Sequence, residues 1–291
     1  MLWLWILLAV LGAGALCVAY GVLVERVWFR LNRHRLDILP PGSPPLSVLH
    51  LSDLHMLGRQ RRKARFLRSL PAADVTVVTG DLLGEPAAVD PVVAALHGVR
   101  GALASYFVLG SNDYFAPRPL NYLRYFGGLS GNGKRERVPG RAGDLAAALQ
   151  ADGWTHLRNR RTELAANGSR IEVLGLDNPH IHRQDSRAIP RRHPSAFGLA
   201  VVHSPDPAPE LAAFGYDLVL SGHTHGGQVR LPLVGALVTN CSLPRRMARG
   251  LTRLGRAVLH VSSGAGTSKY APFRFLCRPE ACLLELRPAP I

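Results

Sequence analysis

Leu46-Ser47-Val48-Leu49-His50-Leu51-Ser52-Asp53-Leu54-His55 is an apolar run that ends in a carboxylate and an imidazole two residues apart. Its length and branched side chains predict a β-strand. The same pattern recurs down the chain. Val75-Thr76-Val77-Val78 leads into Thr79-Gly80-Asp81, and Tyr106-Phe107-Val108-Leu109 leads into Gly110-Ser111-Asn112-Asp113. Residues 199–202 lead into His203, and residues 218–221 into Gly222-His223-Thr224-His225. Between the first three runs lie two helical patterns, a basic amphipathic one at 60–70 and a second at 89–99. This βαβαβ order predicts stacked α/β layers. Another helix is expected at 144–151, with further strands at 171–174, 257–261 and 282–286.

Every polar group named above sits just past the carboxyl end of a strand, where loops converge on ligands in open α/β sheets. Carboxylate, imidazole and amide oxygen are the donors a pair of divalent metals takes. A shared carboxylate lets two cations lie about 3.5–4 Å apart and clamp both oxygens of an in-line displacement. Taken singly, Asp53-x-His55 has the pattern of a surface turn, and Gly80-Asp81 says less still. The ordered set is far more specific. In extended backbone His223 and His225 point to opposite faces, so each could serve a different metal. Metal-assisted hydrolysis of a phosphate ester is the chemistry expected from this set.

The set Asp53-x-His55, Gly80-Asp81, Gly110-x-Asn112-Asp113, His203 and Gly222-His223-x-His225 resembles the calcineurin-like metallophosphoesterase superfamily, over about residues 46–288. The segments Arg249-Gly250-Leu251, 261–268 and Cys277-Arg278-Pro279-Glu280 are similar to its membrane-associated bacterial branch, as is Gly175-Leu176-Asp177-Asn178-Pro179-His180. The resemblance implies a four-layer α-β-β-α sandwich. It implies one metal on Asp53, His55 and His225, a second on Asn112, His203 and His223, and Asp81 between them. It implies a dinuclear phosphoesterase that hydrolyses a phosphate ester, diester or pyrophosphate through a metal-bridging hydroxide. Manganese, iron or zinc would suit these donors. One departure stands out: the family usually reads Gly-Asn-His-Asp/Glu where this chain has Gly110-Ser111-Asn112-Asp113. If Asn112 is the ligand, Asp113 takes the place of the usual histidine; in the other register Ser111 would be the ligand. Serine is a poor ligand, so the first register is preferred. The customary histidine is absent in both. General acid work of that kind contributes roughly 10²–10⁴-fold. Asn112 and Asp113 are therefore the expected catalytic residues, with His180 as another candidate acid.

Residues 2–24 contain no charged side chain. As a helix they span roughly 35 Å, enough for a hydrocarbon core of about 30 Å. The run lacks a basic segment before it and a small-x-small cleavage site after it, so a retained membrane anchor is expected rather than a cleaved signal. Arg26, Arg30, Arg33 and Arg35 follow it. By the positive-inside rule they place the catalytic domain on the cytoplasmic side of a single-pass cell-membrane protein. The expected division is an anchor at 1–25, a basic juxtamembrane segment and Pro-rich linker at 26–45, and the phosphoesterase domain at 46–291.

The chain has 291 residues, 47% of them hydrophobic, which suffices for one full-sized α/β domain and little more. Its formal net charge of +15 fits an acidic partner, although an Arg-rich genome accounts equally well for many of the arginines. The expected partners are a phosphorylated small-molecule or lipid substrate and the membrane itself. A basic insertion at 118–141 is expected either to cover the site and attract an anionic head group or to be a solvated loop. A nuclease would need aromatics interleaved with the basic runs, and aromatics here are 7% and lie elsewhere. A binding scaffold without activity is opposed by the near-complete ligand set. The four cysteines form no C-x-x-C pair, so neither a zinc ribbon nor a disulfide framework is expected.

Overall fold

The computed structural model describes residues 1–119, 137–166, 168–191, 193 and 195–290. Most of the basic insertion expected at 118–141 lies outside the described residues. In chain order the elements are α1 (Leu2–Leu23), β1 (Arg30–Leu39), β2 (Leu46–Leu51), α2 (Arg61–Arg68), β3 (Val75–Thr79), α3 (Val89–His97) and β4 (Ala104–Val108). A single turn α4 (Ser111–Tyr114) follows, then α5 (Ala142–Ala151), β5 (Thr155–His156), β6 (Arg160–Ala166), β7 (Ser169–Gly175), β8 (Phe197–Val201) and α6 (Ala208–Ala213). The remainder is β9 (Leu218–Ser221), a small hairpin β10 (Arg230–Leu231) and β11 (Gly235–Ala236), then β12 (Gly250–Leu254), β13 (Ala257–Val261) and β14 (Glu280–Pro288).

Two six-stranded sheets result, ordered β1-β14-β2-β3-β4-β5 and β12-β13-β9-β8-β7-β6. The period-2 alternation of the strands sorts their side chains into layers. Val48, Val75, Val77 and Val108 of the first sheet meet Ile171, Val173, Val201, Leu218 and Leu220 of the second in a central core. Their neighbours Leu49, Leu51, Val78 and Phe107 face the other way, onto Leu67, Leu96, Leu145 and Leu149 of α2, α3 and α5. On the far side Leu174, Ala200, Val219 and Leu259 pack against Ile189, Leu211 and Met247. This is the four-layer sandwich expected from the resemblance. Strands β2, β3 and β4 run parallel, as do β7, β8, β9 and β13, so each sheet delivers several strand carboxyl ends to one edge.

The stretch at 26–45, expected as a basic juxtamembrane segment and Pro-rich linker, contains a strand of the domain. Residues 30–39 form β1, which pairs in parallel with β14 from Arg30↔Glu280 onward. Leu36 and Leu39 are buried in the central core, and Arg30 is bound to Glu280 at 2.8 Å. The expected boundary at Leu46 therefore moves ahead of Arg30. An edge strand buries one face only, and here its outward positions are arginines, which hid the strand behind the appearance of a basic flank. The unforeseen strands β6 and β12 are also edges. Glu25, itself buried, accepts backbone N–H bonds from Leu276 (2.9 Å) and Cys277, so α1 is joined to the domain without a spacer. A chain beginning at Leu46 is expected to aggregate, because it bares the β14 edge and the inter-sheet core. A chain beginning at Val24 is expected to elute as a folded species in size-exclusion chromatography. Equal behaviour of the two would show that β1 is dispensable. The α1 region is the N-terminal apolar helix that the composition called for, long enough to cross a membrane, with mean hydropathy 2.4 over its most apolar window.

Candidate metal centre

The backbone turns sharply where the strands end. Asp53, His55, Asp81, His223 and His225 have φ of 47°, 40°, 52°, 68° and 50°. That left-handed region costs a non-glycine residue roughly 1–2 kcal/mol, and strain of this kind gathers at functional sites. Cross-strand hydrogen bonds hold it: Asp53 N donates to Gly80 O and His55 N to Asp81 O, both at 2.9 Å. Close approach requires glycine at two positions. A Cβ on Gly222 would lie 1.7 Å from Ser52 Oγ, and one on Gly110 would lie 2.1 Å from Asp81 Oδ1.

These turns bring all seven expected ligand residues together. Asp53, His55, Asp81 and His225 each offer a ligand atom within 4.8 Å of the others. Asp81 looks both ways. Its Oδ2 is 3.6 Å from His55 Nε2, and its Oδ1 is 3.5 Å from His203 Nε2. His203 Nε2 in turn is 3.2 Å from His223 Nδ1. Asn112 donates to Asp81 from its backbone N–H (2.8 Å) and from its side-chain amide. It therefore enters the site through its donors, and its amide would have to turn to present oxygen to a cation.

The hydrogen bonds behind the imidazoles decide what their inner nitrogens are. His203 Nδ1 donates to Thr79 O at 2.7 Å, and His223 Nε2 donates to Asn240 O at 3.0 Å. A carbonyl only accepts, so each of these nitrogens carries a proton. In the neutral rings the nitrogens that face each other at 3.2 Å both present lone pairs, which a metal cation between them, or a proton on His203, would satisfy. His55 Nε2 and His225 Nε2 lie 3.1 Å apart, and Arg274 donates toward His225 Nδ1, which leaves the proton of a neutral His225 on Nε2 until a cation displaces it. By type, the carboxylates, imidazoles and amide gathered here fit bound cations on both sides of Asp81.

Electrostatics favour the ligating form at Asp81, His55 and His223 and oppose it at Asp53 and His203. Burial opposes ionisation of Asp81, but His203, His55 and the Asn112 hydrogen bonds overcome it and hold its carboxyl below the usual range. Burial, aided by the Asp81 charge, pushes Asp53 up to about 7. Burial pulls His55 and His223 down to about 4, in favour of the neutral, ligating form. His203 goes the other way: burial lowers it, but Asp81, Asp53 and the Thr79 carbonyl outweigh burial and raise it.

Asp113 is not placed as a catalytic acid. It is fully buried, with Oδ1 accepting from Leu82 N and Leu83 N, both at 2.9 Å, and Oδ2 accepting from Gly110 N at 2.8 Å. Its carboxylate fastens the loop that carries Asp81 to the turn that carries Asn112. His180 lies at the mouth of the site, its ring 4.6 Å from that of His223. Arg274 escaped the sequence reading altogether. Its fully buried guanidinium donates to the carbonyls of Ser263, Gly264, Gly266 and Cys277 and lies 3.5 Å from His225 Nδ1. Burial, His55 and this arginine together keep His225 neutral. An arginine amid Pro272-Phe273-Arg274-Phe275 has no local signature that tells it from a surface charge.

Fold and site together define a metal-dependent phosphoric ester hydrolase. The chain belongs to the calcineurin-like phosphoesterase family, whose model matches residues 46–227. It is an enzyme of the metallophosphoesterase class. It is 26% identical to the uncharacterized metallophosphoesterase YkuE of Bacillus subtilis, over 95% of this chain and 93% of that one. It is 27% identical to the phosphodiesterase YaeI of Escherichia coli, over 90% of each chain. It is 25% identical to the UDP-2,3-diacylglucosamine pyrophosphatase LpxG of Chlamydia trachomatis, over 82% of this chain and 83% of that one.

Proposed function

We propose that this chain hydrolyses a phosphodiester or pyrophosphate borne at a membrane surface, using two divalent cations. Asp53, His55 and His225 would hold one, Asn112, His203 and His223 the other, with Asp81 shared. When bound, such a pair supplies an activated water near neutral pH and Lewis-acid charge for the phosphoryl oxygens. The observation that carries this reading is the pair of imidazole nitrogens, His203 Nε2 and His223 Nδ1, turned toward one another at 3.2 Å beside the Asp81 carboxylate. The carbonyls of Thr79 and Asn240 fix the tautomers of the two rings, and Asp113 fixes the loop beneath Asp81. Manganese is the metal proposed for first reconstitution. The purified full chain in detergent, loaded with manganese, should cleave an aryl phosphodiester or a pyrophosphate. Failure with every monoester, diester and pyrophosphate in a panel would overturn the assignment.

The membrane-borne substrate rests on where α1 meets the site. Gly21 O of α1 accepts from Arg274 N at 3.3 Å, and Arg274 reaches His225. Tyr20 of α1 packs edge-on against Phe275, at 6.4 Å between ring centres. Phe275 also pairs with the start of the β10–β11 hairpin, whose tip exposes Leu231, Leu233 and Val234. One side chain therefore separates the metal ligands from the end of the anchor. A lipid-borne pyrophosphate in mixed micelles should be cleaved with a higher kcat/KM than its soluble head group; the reverse order would reject the lipid preference. The domain is assigned to the cytoplasmic side by Arg26, Arg30, Arg33 and Arg35. A phosphatase-type reporter fused after Ile291 should then be silent, and a strong signal would reverse the orientation.

His180 is assigned the protonation of the leaving group. Burial and His203 lower its pKa below the ordinary histidine value. His180→Ala should slow substrates with poor leaving groups by roughly 10²-fold while leaving aryl esters nearly unchanged. An equal effect on both classes would remove it from that role.

A further inference from the structure

A second cluster of ligating side chains lies below the metal centre, between the two sheets. His34 on β1, His260 on β13 and Cys282 on β14 each offer a ligand atom within 4.8 Å of the others. All three point into the inter-sheet space, on the same strand faces as Leu36, Val258 and Leu284. His260 and Cys282 are fully buried, while His34, on the edge strand, is part-exposed and offers a path in from solvent.

The hydrogen bonds leading to this cluster start at the metal centre and run in one direction. Ser52 Oγ donates to Asp53 Oδ2, and Thr79 Oγ1 donates to Ser52 Oγ at 2.7 Å. His50 Nε2 is 3.0 Å from Thr79 Oγ1, whose proton is committed to Ser52, so His50 Nε2 is the donor there. His50 Nδ1 is then bare in the neutral ring, and must accept from His260 Nδ1 at 2.8 Å. His260 Nε2 is left as a lone pair. It is buried and has no hydrogen-bond partner among the described residues. The His260 ring lies 5.7 Å from that of His34 between centres, and one of its nitrogens is within 4.8 Å of ligand atoms of His34 and Cys282. A buried acceptor with nothing to accept is a costly arrangement, and a cation there removes the cost.

We propose that His34, His260 and Cys282 bind a zinc ion, separate from the catalytic pair, with the fourth position left to water. Two imidazoles and one thiolate are the borderline-to-soft donors that zinc selects over magnesium, calcium or manganese. Binding displaces the Cys282 thiol proton to solvent. Asn32 and Glu280 support the site from outside: the Asn32 amide reaches both Cys282 and Glu280, and Glu280 also holds Arg30 at 2.8 Å, away from the cation. Zinc on His260 Nε2 would lock the tautomers of His260 and His50, and so the direction of the hydrogen-bond chain that ends on Asp53. The site thereby acts as a positioning device for a residue of the catalytic centre.

Cobalt(II) is the probe, because a thiolate ligand gives it a near-ultraviolet charge-transfer band and none of the seven residues proposed as ligands at the catalytic centre carries sulfur. The full chain in detergent, first loaded with manganese, is titrated with cobalt(II). The expected result is a thiolate band that saturates at one equivalent, is lost in Cys282→Ser and persists in Cys241→Ser. Zinc should abolish it by competition. His34→Ala, at a part-exposed edge position that the fold tolerates, should weaken cobalt binding at least about tenfold while the circular dichroism spectrum is unchanged. A wild-type chain without the band, or a band that survives Cys282→Ser, overturns the proposal and leaves His50 and His260 as a buried hydrogen-bonded pair. The readout does not depend on hydrolytic activity, so it stands or falls apart from the proposed function.

Discussion

Asp81→Ala is expected to abolish hydrolysis, lowering kcat by about 10³-fold or more, and to strip the protein of both proposed cations. Its two carboxylate oxygens face opposite groups of imidazoles, His55 on one side and His203 on the other. Removing them leaves each cation with a partial shell and no shared anion. Lewis-acid stabilisation of a phosphoryl transition state is worth several kcal/mol, which corresponds to a rate factor of this size. The Ala variant also leaves the Asn112 N–H groups facing a void. Turnover and bound metal should be measured together on the same preparation. A variant within about tenfold of wild type, still holding two equivalents of metal, would remove Asp81 from the centre.

Asp113→Ala should act on stability first. Three buried backbone N–H groups, on Leu82, Leu83 and Gly110, lose their acceptor at once. Each buried donor left unsatisfied costs about 1–3 kcal/mol, so a loss of about 3–5 kcal/mol is expected after partial relaxation. For a domain of this size that lowers Tm by roughly 5–15 °C in thermal denaturation. Asp113→Asn keeps one acceptor oxygen, and it should recover part of the stability. A general acid would behave otherwise: the Ala variant would melt like the parent and fail only in turnover on poor leaving groups.

The Asp113 case shows how a motif can be legible in its place while its task waits on the folded chain. Gly110-Ser111-Asn112-Asp113 was recognisable as a strand-end segment of the site, and Asn112 does face Asp81. The direction of the Asp113 side chain depends on the short helical turn at Ser111–Tyr114, which turns it under the 81–83 loop. Nothing in four residues of sequence says which way that turn sends its third side chain. The same holds for Arg274, whose burial is set by three carbonyls eight to eleven residues upstream and one just downstream.

The order of apolar runs, and the polar residues that close them, settled the α/β class, the helix–strand alternation and the apolar N-terminal helix, and named the residues proposed as ligands. Those are local properties: a buried parallel strand must be apolar, and its carboxyl end must carry the ligands that the loops there can present. Three things waited for the folded chain. One was β1, since an edge strand with arginines on its open side looks like a basic flank until β14 is beside it. Another was the orientation of the His203 and His223 imidazoles, whose outer nitrogens donate to the carbonyls of Thr79 and Asn240 behind them. The last was the grouping of His34, His260 and Cys282, three residues on three strands with no spacing to connect them, which the packing of one sheet upon the other brings within ligand distance.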